Sequence, residues 1–223
     1  AVPPVVAEVA AAGKIKFMRG GKFARKSIRL KSYDYSQAGM YFVTIYVKNR
    51  ESLFGEIKNE EMVLNELGEM ADKYWNEITA RYPNIELDEY IIMPNHLHVI
   101  IFIVNDAARN VGAIHELPLH ELPLHELPLQ EMRVARRRML LPKIVGFFKM
   151  NAAKLINRKL NRQGISVWQR NYYEHIIRNE ISLNKIRNYI YNNPGGWPKD
   201  IENLEFTKNL GKWQRENYYK NIF

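Results

Sequence analysis

The chain has 223 residues, 46% of them hydrophobic, and a formal net charge of +9. That length fits one domain with extensions or two small domains, and the basic excess favours a polyanionic partner, nucleic acid before anionic membrane. With no cysteine in the chain, disulfides, thiolate metal sites and cysteine nucleophiles are excluded, which fits a reducing cytoplasm. No apolar run reaches the roughly 18 residues of a membrane span.

Ala1–Gly13 is small and apolar, lacks a basic start and contains Pro3 and Pro4. It reads as a disordered leader or fusion remnant rather than a signal peptide. Residues 14–31 carry Lys14, Lys16, Arg19, Lys22, Arg25, Lys26, Arg29 and Lys31 with no acid among them. This is a basic arm suited to phosphates, or a solvated tail, and residues 1–32 are set apart as that arm. Tyr41–Val47, rich in β-branched and aromatic residues, predicts a strand. A shorter extended piece from Phe54 to Val63 turns at Lys58-Asn59. From Leu64 to Arg81 the apolar positions follow helical spacing, and Pro83-Asn84 ends that helix. Ile85–Met93 and Leu97–Val104 predict two further strands joined as a hairpin through Pro94-Asn95.

Within that hairpin lies His96-Leu97-His98. Alternate strand residues share a face, so both imidazoles project from one side, close enough to share a metal ion. Val99, Ile101 and Ile103 anchor the opposite side. Two satisfied core or edge histidines would give the same pattern.

Residues 115–129 repeat His-Glu-Leu-Pro-Leu almost perfectly. Proline at every fifth position forbids a helix and spoils a strand, so residues 107–132 predict an inserted, extended, mobile loop. His115 and His120 are five apart, and Pro118 breaks the helix that a His-Glu-x-x-His zinc site needs. Between Glu131 and Glu174 there is no acid. Arg136, Arg137, Arg138, Lys143, Lys149 and Arg170 fall in that stretch and are candidate phosphate contacts. A helix is expected from Pro142, with Ile144, Val145, Phe147, Phe148, Ala152 and Ile156 toward the core. A further helix is expected from Ser182 to about Asn193, stopped by Pro194-Gly195-Gly196. On it, Tyr189 and Asn193 are one turn apart and face the same way.

Two histidines and one amide or carboxylate oxygen make an open coordination shell that suits Mg²⁺ or Mn²⁺ on a phosphate, with imidazole tilting the preference to Mn²⁺. A tyrosine hydroxyl on the same face can attack the phosphorus and form a covalent phosphotyrosine, conserving the ester for a later strand transfer. Free tyrosine has a pKa near 10, so its deprotonation needs help.

The pattern Met93-Pro94-Asn95-His96-Leu97-His98, Trp168-Gln169, Tyr173-Glu174-His175-Ile176-Ile177-Arg178 and Tyr189-Ile190-Tyr191-Asn192-Asn193-Pro194 resembles the REP-associated tyrosine transposases. These are bacterial relatives of insertion-sequence transposases in the single-tyrosine HUH superfamily. The similarity runs from about Tyr33 to Trp197, leaving 198–223 as a C-terminal extension. It implies an α+β fold, a ferredoxin-like antiparallel sheet with helices packed on one face. It also implies His96 and His98 as metal ligands, Asn193 as a third, and Tyr189 as the nucleophile. Superfamily members often carry glutamine at the third ligand, where this chain has Asn193. His175 and Arg178 join the candidate DNA contacts, with a cap and a salt bridge as their structural alternative.

The expected function is a DNA transposase that cleaves and rejoins single-stranded DNA at or near hairpins through a 5′-phosphotyrosine, aided by Mg²⁺ or Mn²⁺. Its setting would be the bacterial cytoplasm, associated with the nucleoid, with no membrane partner. Monomer and homodimer both stay open. A related HUH nuclease, either a replication initiator or a relaxase, and a non-catalytic DNA-binding regulator are the alternatives.

Overall fold

The computed structural model describes residues 33–104, 135 and 137–208. The basic arm, the pentapeptide repeat and Arg136 lie outside the described residues. The elements run β1 (Gly39–Tyr46), β2 (Gly55–Lys58), β3 (Glu61–Leu64), α1 (Glu66–Asn76), α2 (Ile78–Arg81), β4 (Ile85–Met93) and β5 (His96–Ile103). After the insert come α3 (Leu140–Lys159), β6 (Tyr173–Ile177), α4 (Glu180–Gly196), a 3₁₀ turn at Trp197–Lys199, and α5 (Leu204–Thr207).

The main sheet has the order β4-β5-β1-β6, and every neighbouring pair is antiparallel. With α1 crossing from β1 to β4 and α3 from β5 to β6, this is the ferredoxin-like βαββαβ arrangement. The expected fold class is present.

Strand alternation decides what each face does. Tyr41, Val43 and Ile45 of β1 pack with Leu97, Val99 and Ile101 of β5 against Ala71, Trp75, Ile144 and Phe148 of the two crossover helices. These helices share one face, as expected. Trp75 and Phe148 meet edge to face with centroids 5.4 Å apart. Burying such side chains contributes about 1.5–3 kcal/mol each. The other face carries Phe42 and Ile100, covered by Leu183, Ile186 and Ile190 of α4. This additional helix brings Tyr189 to His98 and carries Asn193 one turn further on.

Several local features differ from the sequence reading. The helix predicted over 64–81 divides at Glu77, whose N–H reaches both Lys73 O and Trp75 O. The hairpin turn falls on Asn59 and Glu60, both at positive φ. Gly55, at φ +141°, opens that hairpin where a Cβ would come within 2.1 Å of the Val63 carbonyl oxygen. Tyr173–Ile177 forms an edge strand on β1 that the sequence reading did not assign. The last long helix starts at Glu180, with Asn179 accepting from Ser182 N–H as its cap, and passes through Pro194 to Gly196. Proline removes one intrahelical donor, and the helix continues for the two residues beyond it.

A bulge in β4 between Leu87 and Tyr90 turns Asp88 toward α4. Arg187 donates to it from Nε at 2.9 Å and Nη2 at 2.6 Å. The guanidinium holds the Asp88 carboxyl below its usual range, so its contribution is present above the unfolded carboxylate pKa and is lost as pH falls through the folded value. Asp88→Ala should lower stability by about 1 kcal/mol, read as a shift in the urea midpoint at neutral pH.

Candidate active site

His96 and His98 are fully buried on the α4 side of the sheet. Their Nε2 atoms approach to 2.9 Å. Each ring is held from behind. Asn95 Nδ2 donates to Glu202 O at 2.8 Å and Arg50 O at 3.2 Å. Carbonyls only accept, so the amide is fixed with Oδ1 toward His96 Nδ1, 2.7 Å away. His96 must therefore carry its proton on Nδ1 and leave a lone pair on Nε2. His98 Nδ1 lies 2.9 Å from Thr44 Oγ1. A hydroxyl serves either tautomer, so His98 Nε2 can also present a lone pair.

Burial, reinforced by His98 and Arg50, holds His96 well below the usual imidazole range. Burial and then Arg50 bring His98 down to about 3. Both rings are neutral near pH 7, the form that binds metal.

From α4, Tyr189 places its hydroxyl 3.1 Å from His98 Nε2. Phe42 forms the floor, stacked on His98 at 5.3 Å and edge-on to Tyr189 at 6.3 Å. One turn on, Asn193 is buried, and its Oδ1 has no hydrogen-bond partner among the described residues. An unsatisfied buried acceptor costs about 1–3 kcal/mol, which a ligand would relieve. Among the described residues no group of three His, Asp or Glu could hold a metal. Two convergent imidazole nitrogens and an orphaned amide oxygen fit a hard or borderline divalent cation.

The segment after α4 closes one side of the site. The Trp197 ring lies 6.0 Å from that of His96. Asp200 Oδ2 accepts from Asn193 Nδ2 at 3.3 Å, and its Oδ1 accepts from Glu202 N–H at 2.7 Å. Glu202 accepts from Tyr46 OH at 2.8 Å and pairs with Arg50, whose guanidinium sits 3.7 Å above the Tyr46 ring. Asn49 and Arg50 both have φ of 58°, a region that non-glycine residues seldom visit. Burial raises Asp200 to about 6, against the Asn193 hydrogen bond and Arg50. Thr44, Arg50, Asn95, Asp200 and Glu202 were not among the sequence candidates. Only Asn95 carried a signal, as part of the Met93–His98 motif.

The basic candidates are spread out. Arg170 is exposed in the loop where Gln169 N–H donates to Tyr46 O, at the histidine end of the sheet. Lys149 braces that loop, donating to Gln169 O at 2.6 Å. His175 sits opposite Phe42 in the register, on the histidine face, and is held below its usual range by burial and then Arg178. Arg178 follows β6 at the far end. Arg137, Arg138 and Lys143 flank the start of α3, where Leu141 N–H donates to Tyr35 O. That end is removed from His96 by the length of β1, roughly 23 Å at about 3.3 Å per residue.

The titration has a consequence for stability. Below pH 6.5 the unfolded histidines gain protons that His96 and His98 refuse when folded. Above about 3.8, folded Asp200 keeps a proton that the unfolded chain releases. Between pH 4 and 6 this is two protons favouring the unfolded state at acid pH against one opposing, so these groups make stability rise with pH, with a slope of about one proton. His98→Gln should remove about one proton from that slope, measured by urea denaturation across the window in EDTA.

No protein-family model matches the chain. An uncharacterized protein of Haemophilus influenzae is 42% identical over 176 residues, covering 79% of this chain and 91% of that protein. Among solved structures, a REP-associated tyrosine transposase bound to a REP hairpin superposes with a TM-score of 0.43 at 17% identity, covering 76% of this chain and 73% of that one. A protein assigned as a transposase from Deinococcus radiodurans gives 0.38 at 15% identity, covering 74% and 97%. Both scores are low, and the fold assignment rests on the strand order and pairing of the chain itself.

Proposed function

We propose that this chain, which belongs to the same family as the uncharacterized Haemophilus influenzae protein, is a DNA transposase. It would cut and rejoin single-stranded DNA at or near hairpins through a covalent Tyr189 phosphodiester. The observation that carries this reading is one cluster: Tyr189 OH 3.1 Å from His98 Nε2, itself 2.9 Å from His96 Nε2. The motif resemblance supplies the substrate class.

His96 Nε2, His98 Nε2 and Asn193 Oδ1 are the groups that would hold Mg²⁺ or Mn²⁺. Such an ion, when bound, supplies Lewis acidity at a phosphate oxygen. Asn95 and Thr44 hold the two imidazoles in place, and Phe42 covers the face of His98. Tyr189 Oη attacks phosphorus, the bond to the 3′ oxygen breaks, and the 5′ phosphate stays on the tyrosine. The proton leaving Tyr189 is matched by one taken up at the freed 3′ oxygen. A later 3′ hydroxyl reverses the step and joins strands without ATP.

Arg170, His175 and Lys149 near the site, and Arg137, Arg138, Lys143 and Arg178 toward the other end, would hold the backbone, so affinity should fall steeply with salt. No helix among the described residues is long and apolar enough to cross a membrane, and the proposed setting is the bacterial cytoplasm.

The test incubates labelled hairpin-containing single strands with the protein and Mg²⁺ or Mn²⁺, then looks for a covalent adduct on a denaturing gel. An adduct lost on adding EDTA is expected. Tight binding with no cleavage of any single strand would favour a regulator instead.

A further inference from the structure

We infer that Asp200 is a positioning residue that turns the Asn193 carboxamide so that its oxygen, rather than its NH₂, is left as the metal donor. This rests on the proposed metal site. It concerns a residue beyond the motif-bearing part of the chain, in the stretch that sequence alone assigns to a C-terminal extension.

An amide oxygen can bind a cation and an amide NH₂ cannot. The two ends have nearly the same shape, so packing alone does not choose between them. At position 193 the choice is made by Asp200. Its Oδ2 lies 3.3 Å from Asn193 Nδ2, and an ionised carboxylate only accepts. The other oxygen, Oδ1, is fixed by Glu202 N–H at 2.7 Å, so the carboxylate is itself oriented. Asp200 is 2% exposed and Asn193 is 3% exposed. Asn193 Oδ1, left over from this arrangement, has no partner among the described residues. The same logic operates on the neighbouring ligand, where Asn95 fixes the His96 tautomer through carbonyls that only accept.

Asp200→Asn keeps the shape and reverses the choice. An asparagine there accepts from Glu202 N–H through its oxygen and offers NH₂ to position 193. Asn193 must then turn its oxygen toward residue 200 and its NH₂ toward the metal. Aspartate at 193 is indifferent to this, because both of its edges are acceptors.

The test measures Mn²⁺ binding by electron paramagnetic resonance on the full chain without DNA, with thermal unfolding in EDTA as the fold check. Asp200→Asn should weaken Mn²⁺ binding about 10- to 100-fold, the range typical of residues that orient a metal ligand. In an Asn193→Asp background the same change should cost less than about threefold, a non-additivity that a purely structural role does not produce. Should Asp200→Asn fail to fold, Asp200→Ala in the two backgrounds carries the same comparison, since it also leaves the amide unoriented. Equal cost in both backgrounds, or no cost in either, overturns the inference. His96→Ala separates the levels. Lost Mn²⁺ binding there with an unaffected Asp200→Asn sinks the inference alone, whereas Mn²⁺ binding that ignores His96 sinks the metal site and the inference together.

Discussion

Tyr189→Phe is expected to abolish the covalent adduct with single-stranded hairpin DNA, with cleavage falling by at least about 10⁴-fold, as when other covalent nucleophiles are removed. DNA binding should survive. The ring keeps its edge contact with Phe42 at 6.3 Å, and only the hydroxyl that meets His98 is removed. Tyr173 is one rival, with its ring 6.4 Å from Phe42 on the same face and its hydroxyl pushed to a higher pKa by burial. Tyr173→Phe should leave adduct formation within a few-fold of the parent. A persistent adduct in Tyr189→Phe would mean that another residue attacks.

The second large effect concerns the histidines. His98→Ala removes one of two convergent nitrogens and the contact with Tyr189. It should weaken Mn²⁺ binding by at least about 100-fold, more than the loss of an orienting partner, and stop cleavage at ordinary metal concentrations. Because a neutral buried imidazole is exchanged for a methyl group, the acid sensitivity of folding should decrease in the same variant. Metal binding and the pH dependence of stability then change together, which a histidine serving only the core would not produce.

Much of this site was legible because strand alternation is rigid. Once Leu97, Val99 and Ile101 face the core, His96 and His98 have only one other side to face, and residues four apart on a helix must share a turn. The pairing of β5 with β1 brings Thr44 opposite His98, which no local pattern reports. Tyr173–Ile177 was harder still, since a five-residue edge strand holding Glu174 and His175 has little apolar alternation. The segment after Pro194 was the least legible. Asp200 and Glu202 look like ordinary surface acids in sequence. They are buried because partners converge on them, Arg50, Tyr46 and Asn95 from distant parts of the chain and Asn193 from the end of α4. Buried acids are tolerated only where such partners exist, and their presence is a property of the fold.

The most direct measurement is the identity of the residue that carries the DNA. After reaction with a short hairpin strand and nuclease trimming, proteolysis after Arg187 and Lys199 releases a peptide holding both Tyr189 and Tyr191. A nucleotide phosphate is expected on that peptide, assigned by fragmentation to Tyr189, whose hydroxyl faces His98. A phosphate on exposed Tyr191, on Tyr173 or on any other residue would contradict it.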